Sequence, residues 1–328
     1  MTIYDIAKEA GVSPSSVSRV LNNKPGVNEE SRRVVLQLLE QYDFVPNAIA
    51  RGLVNRASKT VGILISDLRV SHHVDGVYYV QKELSEYGYC SIIMNTGNET
   101  QDKVQALREL EQRQVDGIVL MGAVFQCDEV RDVIAQHFKR TPMVIVNGSI
   151  DLENVCGIVS NETEATYECA EVLHDRGRKN IVFICDDGRN PSVEAKKRGF
   201  EKAAREIGFD NAVTVDAENS YEGGFAASED LIQSGKSFDA ILCSADIIAA
   251  GAIHSLKKNG LKVPGDVAVI GMNNSSYSKV CYPTITSLDT KRNEASVIAA
   301  KNLIEIMNGK KVPHITELKP EIIFRESI

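Results

Sequence analysis

From Val61 onward the chain alternates short β-rich apolar runs with amphipathic stretches of helical period, and this alternation restricts its fold more than any other feature. The strand candidates are residues 61–65, 90–94, 118–121, 143–146, 181–185, 240–243 and 267–270. Helical patterns of crossover length lie between them, among them residues 102–113, 163–175, 192–207 and 247–259. Strand, helix, strand at such spacing specifies parallel sheets covered by helices. About 260 residues of it exceed one small sheet, which predicts two doubly wound lobes facing a cleft. In open α/β sheets ligands sit beyond the carboxyl ends of the strands. The segments after Ile65, Met121, Val146, Cys185, Cys243 and Ile270 are therefore expected around that cleft.

The first residues have a different texture. Thr2 with Asp5 forms a candidate capping box, and Ile3, Ile6, Ala7 and Ala10 recur at helical spacing until Gly11 interrupts them. Ser13 is a good N-cap, Pro14 suits the first helical turn, and Val17, Val20 and Leu21 repeat on one face. Beyond the turn at residues 22–26, Asn28 can cap a third helix with Val34, Val35, Leu38, Leu39 and Tyr42 as its stripe. Helix, glycine-containing turn, helix within residues 3–21 is a helix-turn-helix, which presents the start of its second helix to the DNA major groove. Ser15, Ser16 and Ser18 with Arg19 lie away from Val17 and Val20. Serine approaches a base edge or phosphate closely, and Arg19 can give two parallel hydrogen bonds to guanine. The competing reading is a plain helical hairpin with a solvated polar face, and charge weighs against it. Net charge is −8 for the whole chain, yet residues 1–60 carry eight basic and six acidic side chains, leaving 29 and 39 for the remainder. A cationic head on an anionic body fits a head that alone approaches phosphates. Asn47 to Leu53 reads either as a simple linker or as a short helix that, paired across a dimer on DNA, pushes Leu53 between base steps of the minor groove.

The run T-I-Y-D-I-A-K-E-A-G-V-S-P-S-S-V-S-R-V-L-N from Thr2, with V-N-E-E-S-R from Val27 and F-V-P-N-A-I-A-R-G-L from Phe44, resembles the head of the lactose/galactose repressor (LacI/GalR) family. The phrases V-D-G-I from Val115, H-D-R-G-R-K-N-I from His174, A-D-I-I-A-A-G-A-I from Ala245 and G-L-K-V-P-G-D-V-A-V-I-G from Gly260 extend the resemblance over the whole length. It implies an α/β protein with an all-α helix-turn-helix head at residues 1–45 and a hinge helix and linker at 46–60. Residues 61–328 would form a periplasmic-binding-protein-like core of two doubly wound parallel-sheet lobes, divided near 160 and crossing back near 286 and 317. The implied function is a dimeric transcriptional regulator, a repressor, whose operator affinity answers to a small metabolite. A homodimer carries two heads, so the double-stranded DNA operator is expected to be pseudo-palindromic. Base or groove contacts carry over to Ser15, Ser16, Arg19 and Leu53, and phosphate contacts to Tyr4, Ser13, Ser18, Asn22, Asn28 and Asn47. Pro14 departs from the longer polar or aromatic residue common in the family, which bears on the operator sequence and not on the docking mode.

For the effector, the resemblance points to His72, His73, Asn147, Ser160, Lys196, Asn219, Asp246 and Asn273. Several depart from the sugar-responsive pattern. Asn273 replaces an Asp, Lys196 a sugar-clamping Arg ahead of Gly199 and Phe200, and Asn219 an aromatic platform. Ala245 stands where Asn is common, and Val70 to His73 replace Asn-Pro-Phe-Phe. With Asn147 and Asn273 in place of acids, Lys196 keeping a cation, and His72 and His73 adding positive character near pH 6 to 7, the cleft is expected to favour an anionic ligand. A phosphorylated sugar or sugar acid is that expectation. A neutral sugar held by amides, or a cleft that leaves control to a protein co-regulator, are the alternatives. Asp246 also reads as a buried Asp capping the following helix, and the two histidines as surface residues.

Enzymatic motifs are missing: no G-x-G-x-x-G follows the first strand, and there is no P-loop and no G-x-S-x-G elbow. The six histidines are scattered and the seven cysteines contain no C-x-x-C pair, so neither a metal nor a cofactor is expected. No run approaches the roughly 18 apolar residues of a membrane span, and the chain opens without a signal-peptide pattern, which predicts a cytoplasmic protein with no membrane partner. The same pattern argues against a solute-binding protein of the transport class.

Overall fold

The computed structural model describes residues 1–21, 23–44, 58–186 and 190–328, and the chain divides into two compact units, Met1–Ser58 and Lys59–Ile328.

The small unit contains α1 (Ile3–Glu9), α2 (Pro14–Leu21) and α3 (Glu29–Gln41). Local side chains define each start. Thr2 Oγ1 accepts from the Asp5 N–H at 3.3 Å while the Asp5 carboxylate accepts from the Thr2 N–H at 2.8 Å, a complete capping box. Ser13 Oγ accepts from the Ser16 N–H at 3.2 Å, and Asn28 Oδ1 from the Ser31 N–H at 2.7 Å. Gly11 makes the turn between the first two helices at φ +64°, where a side chain would be strained. Ile6, Ala7, Val17, Val20 and Val35 form the shared core. Each large aliphatic among them stabilises the unit by about 2 kcal/mol, which helices this short need because alone they are marginal in water.

The large unit runs β1 (Thr60–Ile65), α4 (Ser71–Glu86), β2 (Cys90–Asn95), α5 (Thr100–Gln112), β3 (Gly117–Met121), α6 (Asp128–His137), β4 (Met143–Val146) and β5 (Val155–Ser160). It continues with α7 (Glu162–Asp175), β6 (Asn180–Asp186), α8 (Pro191–Ala203), β7 (Asn211–Ala217), α9 (Tyr221–Gln233), β8 (Ala240–Cys243), α10 (Asp246–Lys258) and β9 (Ala268–Met272). The end of the chain supplies α11 (Ser276–Val280), β10 (Thr286–Asp289), α12 (Arg292–Met307), β11 (Ile315–Leu318) and β12 (Glu321–Ile323). Two six-stranded sheets result, in the orders β2-β1-β3-β4-β5-β11 and β7-β6-β8-β9-β10-β12. The first is parallel throughout, and in the second only β12 runs antiparallel, against β10. Strands covered on both faces read as unbroken apolar runs, as in Gly117–Met121, where every residue is buried.

The chain passes between the lobes after Ser160, after Asp289 and after Leu318. The second passage lies beyond the expected 286, because Thr286–Asp289 first pairs with β9 as a strand of the second lobe. Thr286 and Ser287 are polar but fully buried, since the fold answers their polar groups: the Thr286 N–H donates to Ser327 Oγ at 2.8 Å, and Ser287 Oγ donates to Asp246. Beyond it, α12 returns to the first lobe, placing Ala295, Ala299, Ala300 and Leu303 in the core under β1, β3 and β4. In the second lobe α9 and α10 approach closely because a Cβ at Gly251 would strike the Tyr221 carbonyl oxygen, and one at Gly224 that of Ile248.

Candidate DNA-binding and effector sites

On the small unit the stripe that buries Val17 and Val20 leaves Ser15 and Arg19 exposed and Ser16 and Ser18 half-buried on α2. Ser13 Oγ lies 2.7 Å from Ser15 Oγ and 2.9 Å from Ser16 Oγ, a hydroxyl cluster at the start of the helix. Arg19 extends to the Gly26 carbonyl at 3.5 Å, a contact too long to hold it. Tyr4 is 71% exposed. Asn28 has its Oδ1 engaged in capping α3, which leaves its amide N–H groups for a phosphate. Arg32 donates to Asn23 Oδ1 at 3.1 Å and to the Lys24 carbonyl at 2.9 Å, fastening the turn behind α2. The proposed contacts Asn22, Asn47 and Leu53 lie outside the described residues.

In the large unit a cavity of about 780 Å³ opens between the lobes. The first lobe lines it with Ser66, Asp67, Val70 and His73 after β1, Asn98, Glu99, Thr100 and Lys103 after β2, Gly122, Ala123, Val124, Gln126 and Cys127 after β3, and Asn147 after β4. From the second lobe come Asp186 and Lys196, Glu218 and Asn219, Ser244 and Ala245, and Asn273, with Arg292 at the chain passage. These are strand carboxyl ends, where parallel sheets leave backbone groups and loops free to hold a ligand.

The comparisons with known proteins match this division. Residues 2–47 match the family described as bacterial regulatory proteins, lacI family, and residues 58–324 match periplasmic binding proteins and sugar binding domain of LacI family. The chain belongs to the LacI family. It is 30% identical to an HTH-type transcriptional regulator of Lachnoclostridium phytofermentans, over 100% of this chain and 99% of that protein. Catabolite control protein A of Priestia megaterium is 31% identical, over 100% of this chain and 99% of the other. Among solved structures, the lac repressor dimer bound to operator and the anti-inducer ONPF shares the fold, with TM-score 0.90 at 21% identity over 100% of this chain and 98% of that one. The chain is thus a DNA-binding transcriptional regulator with a helix-turn-helix head and a two-lobed sensor core.

In this LacI-family core, His73, Asn147, Lys196, Asn219 and Asn273 meet at one cavity. The side chain of His72 lies outside the described set. Ser160 is not brought to the cavity wall; its Oγ donates to the Thr290 carbonyl at 3.0 Å, tying two of the chain passages together. Asp246 is not among the residues that line this cavity. It borders a smaller recess of about 250 Å³, but it is 1% exposed and its carboxylate accepts from the Ser275 N–H at 2.6 Å, Ser275 Oγ at 2.8 Å and Ser287 Oγ at 2.5 Å. Burial raises its carboxyl to about 6, against the lowering effect of those donors. It anchors the loop after β9 to β10, and it does not cap α10, whose N-cap Ala245 makes no side-chain hydrogen bond.

The expected electrostatics need revision as well. His73 adds no charge near pH 6 to 7: burial drives it down to about 4, nearby Arg292 acting in the same direction. Its Nδ1 lies 3.0 Å from the Asp67 carbonyl, and since a carbonyl only accepts, that nitrogen carries the proton. Lys196 is 3% exposed, donates to the Ser244 carbonyl at 3.2 Å and sits 3.7 Å from Glu162. Arg292 reaches the same carboxylate at 3.3 Å. Burial opposes the charge on Glu162, but Lys196, Arg292 and hydrogen bonds from Ser192 and Asn147 outweigh it and hold the carboxyl below its ordinary range. Burial also holds the Lys196 ammonium below the usual lysine range, against the pull of Glu162. The clamp cation is therefore already neutralised, and the cleft is not short of carboxylates, since Asp67, Glu99, Asp186 and Glu218 line it. The reading of the sequence missed Glu162, Arg292 and Lys103. Only Lys103 had a visible signal, a lysine set in an apolar helical stripe.

Proposed function

We propose that this regulator binds a pseudo-palindromic operator as a homodimer and represses transcription, with operator affinity set by a sugar-like metabolite held between its lobes. The cavity between the lobes carries this reading. Its wall combines carboxylates (Asp67, Asp186, Glu218) with amides (Asn147, Asn219, Asn273), acceptors and donors in the mixture that vicinal hydroxyls need. Its size suits a small metabolite, and both lobes contribute, so occupancy would favour one lobe separation over another. Ser15, Ser16 and Arg19 are proposed for base contacts, with Tyr4, Ser13, Ser18, Asn22, Asn28 and Asn47 on phosphates and Leu53 as a minor-groove wedge. Dimerisation is supported by large apolar side chains left exposed on each lobe, Val74 and Tyr78 on α4, Val280 at the end of α11 and Tyr282 just after it. The lac repressor in the solved complex is likewise a dimer bound to operator.

Selection of random duplexes by the purified protein is expected to return an inverted repeat. Fluorescence anisotropy on that operator with a panel of sugars and sugar derivatives is expected to find one that changes affinity and raises the melting temperature of the core. An asymmetric site, or ligands that stabilise the protein without changing operator affinity, would overturn the reading.

A further inference from the structure

We infer that the interlobe cavity holds an oxyanion subsite, built on Lys103 and the N-terminus of α5, for a phosphoryl or carboxylate group of the metabolite; this rests on the cavity being the effector site. The buried stripe of α5 runs Lys103, Ala106, Leu107, Leu110. Helical period thus calls for an aliphatic residue at 103. A lysine stands there instead, 5% exposed, lining the cavity and, among the described residues, making no hydrogen bond or ion pair. A buried ammonium without a partner costs folding free energy, so packing alone gives no reason for it. Of the groups that act on it the Cys127 side chain comes first, followed by Glu99 and Glu129, both exposed and beyond ion-pair distance. Burial holds its pKa below the ordinary lysine range, a shift that a bound oxyanion would reverse.

The second observation is the helix end beside it. The N-cap Glu99 makes no side-chain cap hydrogen bond, and Asn98, Glu99 and Thr100 line the same cavity. The first-turn N–H groups of a 13-residue helix are then open to an acceptor, and the helix dipole favours a negative one. Lys196 and Arg292 already share the Glu162 carboxylate. Among the described residues of the cavity wall, Lys103 is the cation with no carboxylate on it, and lysine serves oxyanions as a point charge.

The test is calorimetric, on the full-length protein and its Lys103→Met and Lys103→Arg variants at constant ionic strength. The probes are inorganic phosphate, glucose 6-phosphate, gluconate and glucose. Phosphate is expected to saturate the wild type, to weaken about tenfold or more in Lys103→Met and to be retained in Lys103→Arg. Glucose 6-phosphate or gluconate is expected to bind more tightly than glucose, with the difference lost in Lys103→Met. The same variant completes the apolar stripe, so its melting temperature is expected to rise; a fall would show a structural anchor and overturn the proposal. Phosphate that fails to saturate the wild type, or binds Lys103→Met equally, overturns the subsite and leaves the effector reading standing. If phosphate binds through Lys103 while no sugar derivative alters operator affinity, the effector reading fails and the anion site survives.

Discussion

Two groups of the large unit, the half-buried His73 and the buried Asp246, titrate in one pH window with opposite effects on stability, and removing either should expose the other. His73 is depressed from its ordinary 6.5 to about 4, so the stability it contributes is present above pH 6.5 and lost as pH falls toward 4. Asp246 is raised from 3.8 to about 6, so its contribution is present below pH 3.8 and lost as pH rises through 6. At 1.36 kcal/mol per pKa unit each amounts to about 3 kcal/mol, and in the wild type they nearly cancel. His73→Gln keeps a donor for the Asp67 carbonyl, and Asp246→Asn keeps an acceptor for Ser275. Urea unfolding of each variant and of wild type is compared from pH 4.5 to 7, where background carboxylates drop out of the differences. Relative to wild type, Asp246→Asn is expected to gain stability with rising pH and His73→Gln to lose it, each by about 2–3 kcal/mol. Differences that stay flat within about 0.5 kcal/mol, or that share one sign, would refute the assignment of both protonation states.

Arg19→Ala should weaken operator binding by roughly 1–3 kcal/mol if its guanidinium reads a base, and affinity on selected duplexes that is unchanged would remove Arg19 from the interface. Glu162→Gln leaves Lys196 and Arg292 facing each other without a carboxylate and should destabilise the core by about 3–5 kcal/mol in denaturant titration. Adding Lys196→Met should recover part of that loss, and an additive double variant would show that the pair does not couple. Gly251→Ala drives a Cβ against the Tyr221 carbonyl, which is backbone, and should cost about 1–3 kcal/mol; unchanged stability would mean that α9 and α10 separate without penalty.

Where burial alone decided structure, the sequence was legible. The central strands of both sheets are covered on two faces, so their apolar runs stand out, and the observed Met143–Val146 and Ala240–Cys243 coincide with residues 143–146 and 240–243. The edge strand β2 was still legible as residues 90–94, but other strands were not visible in the same way. Asn211–Ala217 has one exposed face and alternates polar residues, Val155–Ser160 is interrupted by Gly157, and Thr286–Asp289 buries Thr and Ser whose partners come from distant segments. The head was legible because its signals are local: caps, a glycine turn and one stripe per helix.

Charges at the cavity were misjudged for a physical reason. A side chain's type says what charge it can carry, whereas its net effect on a ligand depends on what the fold brings within a few ångströms of it. Lys196 looked like an available cation because its neutraliser, Glu162, stands 34 positions earlier, on a helix that only the doubly wound connection places beside it. His73 looked like a switch near neutral pH until burial took its charge away. Lys103 is the converse case. Its place on the apolar stripe can be read from the sequence, but only the uncapped helix end and the cavity beside it make its charge something that a ligand would complete. The effector's charge therefore follows from the cations that the fold leaves unpaired, and not from a count of acids and bases along the chain.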